Sequence, residues 1–556
     1  MRLTPAVRAL WLASALLPHA TAPLTAQSDT WALTNARIQT VTRGVIEKGT
    51  ILIRKGLIEA VGPSVPVPAD ARVLDLAGKT VTPGLFDLTS SLGLPTAPTP
   101  GTGGGGAGAP GGGAAQQAPA APRQGMSPER RIATEIRLTA TDVKPIRDAG
   151  ITAVLVSPSR GLFRGMSALV PLRDDADAGT VIKSAVAEHI GYQGVQGDYP
   201  QTLIGVIAYQ RQAFYDAQRQ GMLQDRYRSN PRGMERPEND PGLEALVPVV
   251  RGQVPAFIEA SSENEIRRAV RLAREFNLKM TIVGATEGWE ALDALAGRPA
   301  VVSVNFPAPT AVTGWSYRLS QRRTPGDSAS SAREAQKLIE GNAAALNKAG
   351  VKFALASGGS RDFLPNVRKA VAAGLPAPVA LEALTIRAAE IAGVGEMLGS
   401  IEAGKIANLV VSNTDILADS ARVSAVFVDG IRYEVAPPPP ARTGSGGGPG
   451  GGGAPAAQVA GAWAMALTSP QGPLDITVML VQNGASFNGT MTSQLGSQEI
   501  SDGQITGRNV TWTSTVQFGG QSITLNYRGE VDGNRMTGSA DLGSFGSATF
   551  TAERKP

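Results

Sequence analysis

Five short apolar runs recur between residues 150 and 357, and they restrict the possible architectures more than anything else in the chain: GITAVLVSP (150–158), VPAFIEAS (254–261), KMTIVGA (279–285), AVVSVN (300–305) and VKFALAS (351–357). Each is too short for a helix and too continuously apolar for a strand with one wet face, so each reads as a strand buried on both faces. Helical stretches separate them. ENEIRRAVRLAREFN (263–277) places Ile266, Ala269, Val270 and Ala273 on one face, and SAREAQKLIEGNAAALNKAG (331–350) ends in glycine just before the next run. Strand and helix in alternation predict a parallel barrel or a doubly wound sheet.

The texture changes on both sides of this region. WALTNARIQTV (31–41), GTILIRKGLIEAVG (49–62) and ARVLDLAGKTV (71–81) alternate apolar and polar residues, as do IANLVVSN (406–413) and VSAVFVDGIRYEV (423–435). These are antiparallel strands. Beyond residue 458 the strand-like runs are punctuated by Asn483-Gly484, Asp502-Gly503, Gly519-Gly520 and Asp532-Gly533, which are hairpin signals. About eight strands fit there, in a small up-and-down barrel or sandwich. Such a module is either a ligand pocket or docking unit, or an appendage filled by its own side chains such as Trp463 and Phe487.

Two segments rich in Gly, Pro and Ala, residues 94–125 and 436–458, bury too little apolar surface to offset chain entropy and are expected to be disordered. The chain of 556 residues therefore divides into a leader (1–26), the first part of a β domain (27–80), the alternating region (81–399), the second part of the β domain (400–435), a linker (436–458) and the C-terminal β unit (459–556). The leader MRLTPAVRALWLASALLPHATAPLTA has an arginine-bearing start, an apolar run and small residues before a polar stretch, the pattern of a secretory signal peptide. Cleavage after Ala26, with Ala22 as competitor, predicts an exported protein, periplasmic or secreted, with no stable membrane span once the leader is removed. With 52 basic and 47 acidic residues spread along the chain, no basic stripe points to nucleic acid. Zero cysteines exclude disulfides and thiolate metal sites.

Three blocks carry a resemblance. KTVTPGLFDLTSSLG (79–93), GITAVLVSPSRGLFRGMSALV (150–170) and LTIRAAEIAGVGEMLGSIEAGKIANLVVSN (384–413) occur in the order found in the amidohydrolase superfamily, and the chain resembles its imidazolonepropionase-like branch. The resemblance implies an α/β fold: a TIM-like (β/α)8 barrel with a small composite β-sandwich domain built from both ends of the unit, here followed by the all-β module. It also implies a hydrolase of carbon–nitrogen bonds other than peptide bonds, with zinc or another divalent metal at the carboxyl ends of the barrel strands.

The residues needed for that chemistry are replaced. The two family histidines after the proline-glycine correspond to Thr89 and Ser91, a later histidine slot to Gly284, another to the region of Glu259 or Ser261, and the acid–base aspartate to Gly358 in FALASGGS. With His19 in the leader, His189 is the single histidine left, so a site of several imidazoles cannot be assembled. No catalytic or metal residue is therefore assigned, and no cofactor is expected. Asp87 reads as the structural aspartate of the motif. Ser159, Arg160, Arg164, Glu259 and Asp362 are the candidates for a ligand loop at the barrel mouth, where such folds place their sites. The predicted function is a degenerate, metal-free member acting as a binding or scaffold protein, with a small-molecule or peptide-like ligand as the partner class. Its oligomeric state is left open. The alternatives are an active hydrolase with non-standard ligands, for which Asp87, Glu259 and Asp362 would supply carboxylates, and a carrier for the C-terminal module.

Overall fold

The computed structural model describes residues 30–95, 127–174, 180–194, 199–306, 328–360, 362–436, 457–469, 472–484, 486–493, 496–518, 521–541 and 547–555. The expected leader, most of the 94–125 insert and nearly all of the linker lie outside them. The chain divides into two compact units, Met1–Pro438 and Pro439–Pro556.

In the first unit, β1 (Thr30–Gln39), β2 (Val45–Arg54), β3 (Leu57–Gly62), β4 (Arg72–Asp75) and β5 (Thr80–Pro83) form one eight-stranded sheet. Three later strands complete it. The order along its main path is β17 (Ile431–Glu434), β16 (Val423–Val428), β15 (Leu409–Ser412), β5, β1, β2, β3, with β4 beside β1. The composite domain is thus built from both ends of the unit, as expected, around a core that includes Leu33, Ile38, Ile51, Val81, Leu409 and Phe427. Val81–Pro83, assigned to the barrel from the sequence, lie in β5, because Val81 and Thr82 pair with Val411 and Val410 of the returning strand. The barrel begins two residues later.

Its staves are β6 (Leu85–Ser90), β7 (Ile151–Val156), the nearly continuous pair β8 (Phe163–Met166) and β9 (Ala168–Pro171), then β10 (Glu188–Ile190), β11 (Ala256–Ala260), β12 (Met280–Gly284), β13 (Ala300–Ser303) and β14 (Phe353–Ala356). From β10 to β14 each pairs parallel with the next, and β6 pairs parallel with β7. The third stave departs from the expected all-parallel arrangement: β9 runs antiparallel to β7 and β8 antiparallel to β10. The turn at residues 157–162 is too short for a crossover helix, so the chain reverses directly.

The described helices are α1 (Ala140–Asp148), α2 (Leu203–Ser229), α3 (Pro241–Val250), α4 (Glu263–Glu275), the single turn α5 (Leu292–Leu295), α6 (Ser328–Lys348), α7 (Phe363–Ala372), α8 (Ala377–Leu384) and α9 (Ile386–Ile391). α4 starts in a capping box between Ser262 and Glu265, and its predicted apolar face, Ile266, Ala269, Val270 and Ala273, is buried. The strands β15 (Leu409–Ser412), β16 (Val423–Val428) and β17 (Ile431–Glu434) then close the composite sheet.

The second unit is a closed barrel of eight antiparallel strands in chain order: β18 (Gly461–Ser469), β19 (Gly472–Asn483), β20 (Ser486–Ser493), β21 (Gly496–Thr506), β22 (Asn509–Phe518), β23 (Gln521–Asp532), β24 (Arg535–Asp541) and β25 (Ser547–Arg554). Trp463 and Phe487 lie inside it. The strand count agrees with the expectation; one hairpin signal does not. Asp502-Gly503 falls within β21 at a register shift against β20 and β22, and the turn follows at Gly507. An Asp-Gly pair suits a bulge as well as a turn, and only pairing distinguishes them. Gly519-Gly520 lies outside the described residues.

Candidate functional site

The carboxyl ends of the barrel strands bring several sequence-predicted positions together. On β6 the Asp87 Oδ1 accepts from the Thr89 N–H at 3.1 Å, the Thr89 hydroxyl at 3.1 Å and the Ser357 N–H, just after β14, at 3.0 Å. The Thr89 Oγ1 in turn accepts from the Gly358 N–H at 2.9 Å. These contacts tie the residues just after β14 to the end of β6. Burial raises the Asp87 pKa, and the hydrogen bonds from Ser357 and Thr89 oppose that shift.

Gly284 and Gly358, which the resemblance would set at a histidine slot and at the acid–base aspartate slot, are sterically fixed. Gly358 has φ +59°, and a Cβ there would lie 2.7 Å from Ser303 Oγ and 2.9 Å from Ser303 Cβ. Gly284 has φ +105°, and its Cβ would meet Ser261 Oγ at 2.6 Å. Both are conformations that side-chain-bearing residues avoid.

The same strand ends hold a pair that sequence spacing could not join. Arg164, on the antiparallel stave β8, donates from Nη2 to Glu259 Oε2 on β11 and from Nε to Gly161 O at 3.1 Å. The Arg164 side chain is 5% exposed and that of Glu259 42%, so the cation is enclosed while the acid reaches water. Alternation in FRGMSALV marks a strand, but its reversed direction, which sets Arg164 at the mouth, depends on long-range pairing. Of the other candidates, Ser159 and Arg160 are exposed in the preceding turn, and Asp362 is exposed just before α7. They do not join the Arg164–Glu259 pair. Ser91 is exposed after β6.

Beside this pair the His189 ring packs on Phe257 with centroids 5.4 Å apart, and its Nε2 is buried without a hydrogen-bond partner among the described residues. Burial and the Arg164 charge hold its pKa down at about 3. The neighbouring Glu188, on β10, is also enclosed. Its Oε1 accepts from the Gly165 N–H at 3.1 Å, and burial raises its pKa well above the ordinary range. The sequence reading overlooked this carboxyl, and its place beside the lone histidine was the one available signal.

A native histidine kept neutral binds fewer protons than the unfolded chain between pH 6.5 and about 3, so His189 makes stability fall as pH drops through that window. The loss attributable to His189 is about 1.4 kcal/mol per pH unit inside the window. Urea unfolding of wild type and His189→Leu across that range measures it. The variant is expected to lack this share of the acid destabilisation, while the opposing contributions of Asp87 and Glu188 remain common to both.

A divalent metal does not fit this mouth. The Thr89 hydroxyl is engaged as both donor and acceptor, Glu259 is bound to a guanidinium, and the glycine positions have no room for a donor side chain. Among the described residues no three His, Asp or Glu side chains gather into a metal-binding group. A fixed cation facing the same space further disfavours a second one.

The amidohydrolase family model matches residues 255–432, from β11 through most of the returning strands. An imidazolonepropionase of Vibrio cholerae serotype O1 is 40% identical over 65 residues, which are 11% of this chain and 16% of that protein, so the chain is matched over only a small part of its curated relative. An amidohydrolase from Thermotoga maritima MSB8 superposes with a TM-score of 0.58 at 22% identity, covering 72% of this chain and 99% of that one. A Xaa-Pro dipeptidase with bound methionine covers 73% of this chain and 100% of its own at 17% identity, with a TM-score of 0.45. The first superposition establishes the fold of the first unit, and the later part of that unit, from β11 to β17, matches the amidohydrolase family model.

Proposed function

We propose that this protein is a degenerate amidohydrolase that binds a small-molecule or peptide-like ligand, or serves as a scaffold, without the metal-hydrolase chemistry of its superfamily. The carrying observation is Gly358: the acid–base position is a positive-φ glycine packed on Ser303, and its N–H occupies the hydroxyl of Thr89 at a family histidine position. Fold alone does not fix activity, because chemistry belongs to the site. The Arg164–Glu259 pair supplies the polar character of the mouth, with Glu259 facing solvent and thus available to a ligand's donor groups.

The leader of residues 1–26 supports action outside the cytoplasm. No helix among the described residues is long and apolar enough to cross a membrane.

Elemental analysis after incubation with zinc, manganese and iron salts and gel filtration tests the reading. The folded chain is expected to retain far less than one ion per molecule. A stoichiometric ion, lost on replacing Glu259 or Asp362, would instead establish an active-hydrolase arrangement with non-standard ligands.

A further inference from the structure

The two described tryptophans inside the C-terminal barrel are treated differently by the fold. Trp463 Nε1 donates to Val459 O at 2.9 Å. Val459, in the segment leading into β18, is fully buried and donates its N–H to Gln482 Oε1 at 2.7 Å. Gln482 Nε2 donates to Ala457 O at 3.1 Å and Gly484 O at 3.0 Å, and the Ala457 N–H to Gly507 O at 3.0 Å. The end of the barrel that carries the Gly484 and Gly507 turns is therefore plugged, and every polar group of the plug named here is paired.

Trp512, on β22, has no such partner. It is 3% exposed, and its Nε1 is buried without a hydrogen-bond partner among the described residues. Leaving an indole N–H desolvated and unpaired costs about 1–3 kcal/mol, and buried donors in folded proteins rarely stay unpaired. The ring has little freedom to seek an acceptor: it is stacked on Tyr527 with centroids 4.9 Å apart and planes 3° from parallel, and is edged by Phe550 at 5.5 Å and Phe487 at 6.0 Å.

Further from the plug, other polar groups gather. Ser514, two residues along β22 and 1% exposed, donates to Gln498 Oε1 on β21 at 3.2 Å and hydrogen-bonds the Tyr527 hydroxyl. Beside Tyr527 the wall is made of small side chains, since Tyr527 pairs with Ala540 and Ala540 with Ala548. A few convergent polar groups among aromatic and small apolar side chains are the composition of a small-molecule pocket, and an eight-stranded barrel is wide enough for one small ligand.

We propose that the interior of the C-terminal barrel, beside Trp512, Ser514 and Gln498, binds a small, uncharged, largely apolar molecule carrying one carbonyl or ether oxygen that accepts from Trp512 Nε1. Charge is excluded because the buried residues described in this unit include no Lys, Arg, Asp or Glu, and an unpaired buried charge is costly. An acceptor is required because the unpaired group is a donor. The apolar body of the ligand packs on the stacked aromatic rings.

The uncharged aryl ketone prodan (6-propionyl-2-dimethylaminonaphthalene) is the probe, titrated into the full chain and followed by its fluorescence. Saturable binding of one molecule per chain is expected, weakened at least about tenfold in Trp512→Phe, which keeps a ring in place and removes the N–H. In the wild-type chain the indole N–H resonance of Trp512 shifts during the titration while that of Trp463 does not. This second measurement decides the matter if the variant fails to fold. Absence of saturable binding, equal affinity in folded Trp512→Phe, an unmoved Trp512 resonance, or a bound water on Nε1 that prodan leaves in place would each overturn the proposal.

Discussion

Replacing Gly358 by aspartate, the residue type that the resemblance implies there, is expected to destabilise the first unit by about 2–4 kcal/mol and to confer no hydrolysis of carbon–nitrogen bonds. The backbone at φ +59° is the lesser part of the cost, since aspartate tolerates the left-handed region better than most residues. The larger part is the new Cβ, 2.7 Å from Ser303 Oγ and 2.9 Å from Ser303 Cβ. Gly284→His meets a similar obstacle at Ser261 with a less tolerable φ of +105°, and is expected to cost at least as much. Urea unfolding and zinc analysis of the two variants check this. Wild-type stability together with a newly retained ion would show that the mouth still accommodates the family site and would remove the basis of the metal-free reading.

Breaking the Arg164–Glu259 pair from its two sides is expected to give unequal results. Glu259→Leu leaves a guanidinium that is 5% exposed with only carbonyl acceptors, Gly161 O at 3.1 Å and Pro158 O at 3.4 Å, and should cost about 2–3 kcal/mol. This lies below the full cost of an isolated buried charge because water reaches the acid's side of the pair. Arg164→Met leaves a carboxylate already 42% exposed, which hydrates, and should cost at most about 1 kcal/mol. Removing Arg164 also takes away the charge that helps depress His189, so the His189 pKa should rise from about 3. The chain carries one other histidine, His19, so assignment by substitution of His19 lets the His189 imidazole resonances report this by NMR. Equal costs from the two sides, or an unmoved His189, would contradict the electrostatic arrangement described here.

Much of the architecture was legible because it rests on local periodicity. The continuous apolar runs at 254–261, 279–285, 300–305 and 351–357 each became a parallel stave, since a strand covered on both faces must be apolar throughout. The face of α4 followed from a spacing of three and four residues. Asp502-Gly503 was read as a turn because a dipeptide does not state which strand it faces; the bulge it forms is set by pairing with β20 and β22. The start of the barrel was misplaced for a similar reason, as Val81 and Thr82 are apolar or β-branched in either setting and were claimed by β15, more than three hundred residues away.

The sequence alone determined which residue types the chain can bring to a site: two histidines in all, His19 and His189, and glycine at position 358, a matter of composition that no folding can alter. Tertiary structure decided which residues meet. The reversed third stave, which follows from a turn too short for a crossover, sets Arg164 against Glu259 from a position 95 residues away. The unpaired Trp512 N–H likewise exists only because eight strands close around it. Both depend on non-local contacts, for which the chain carries residue types but no address.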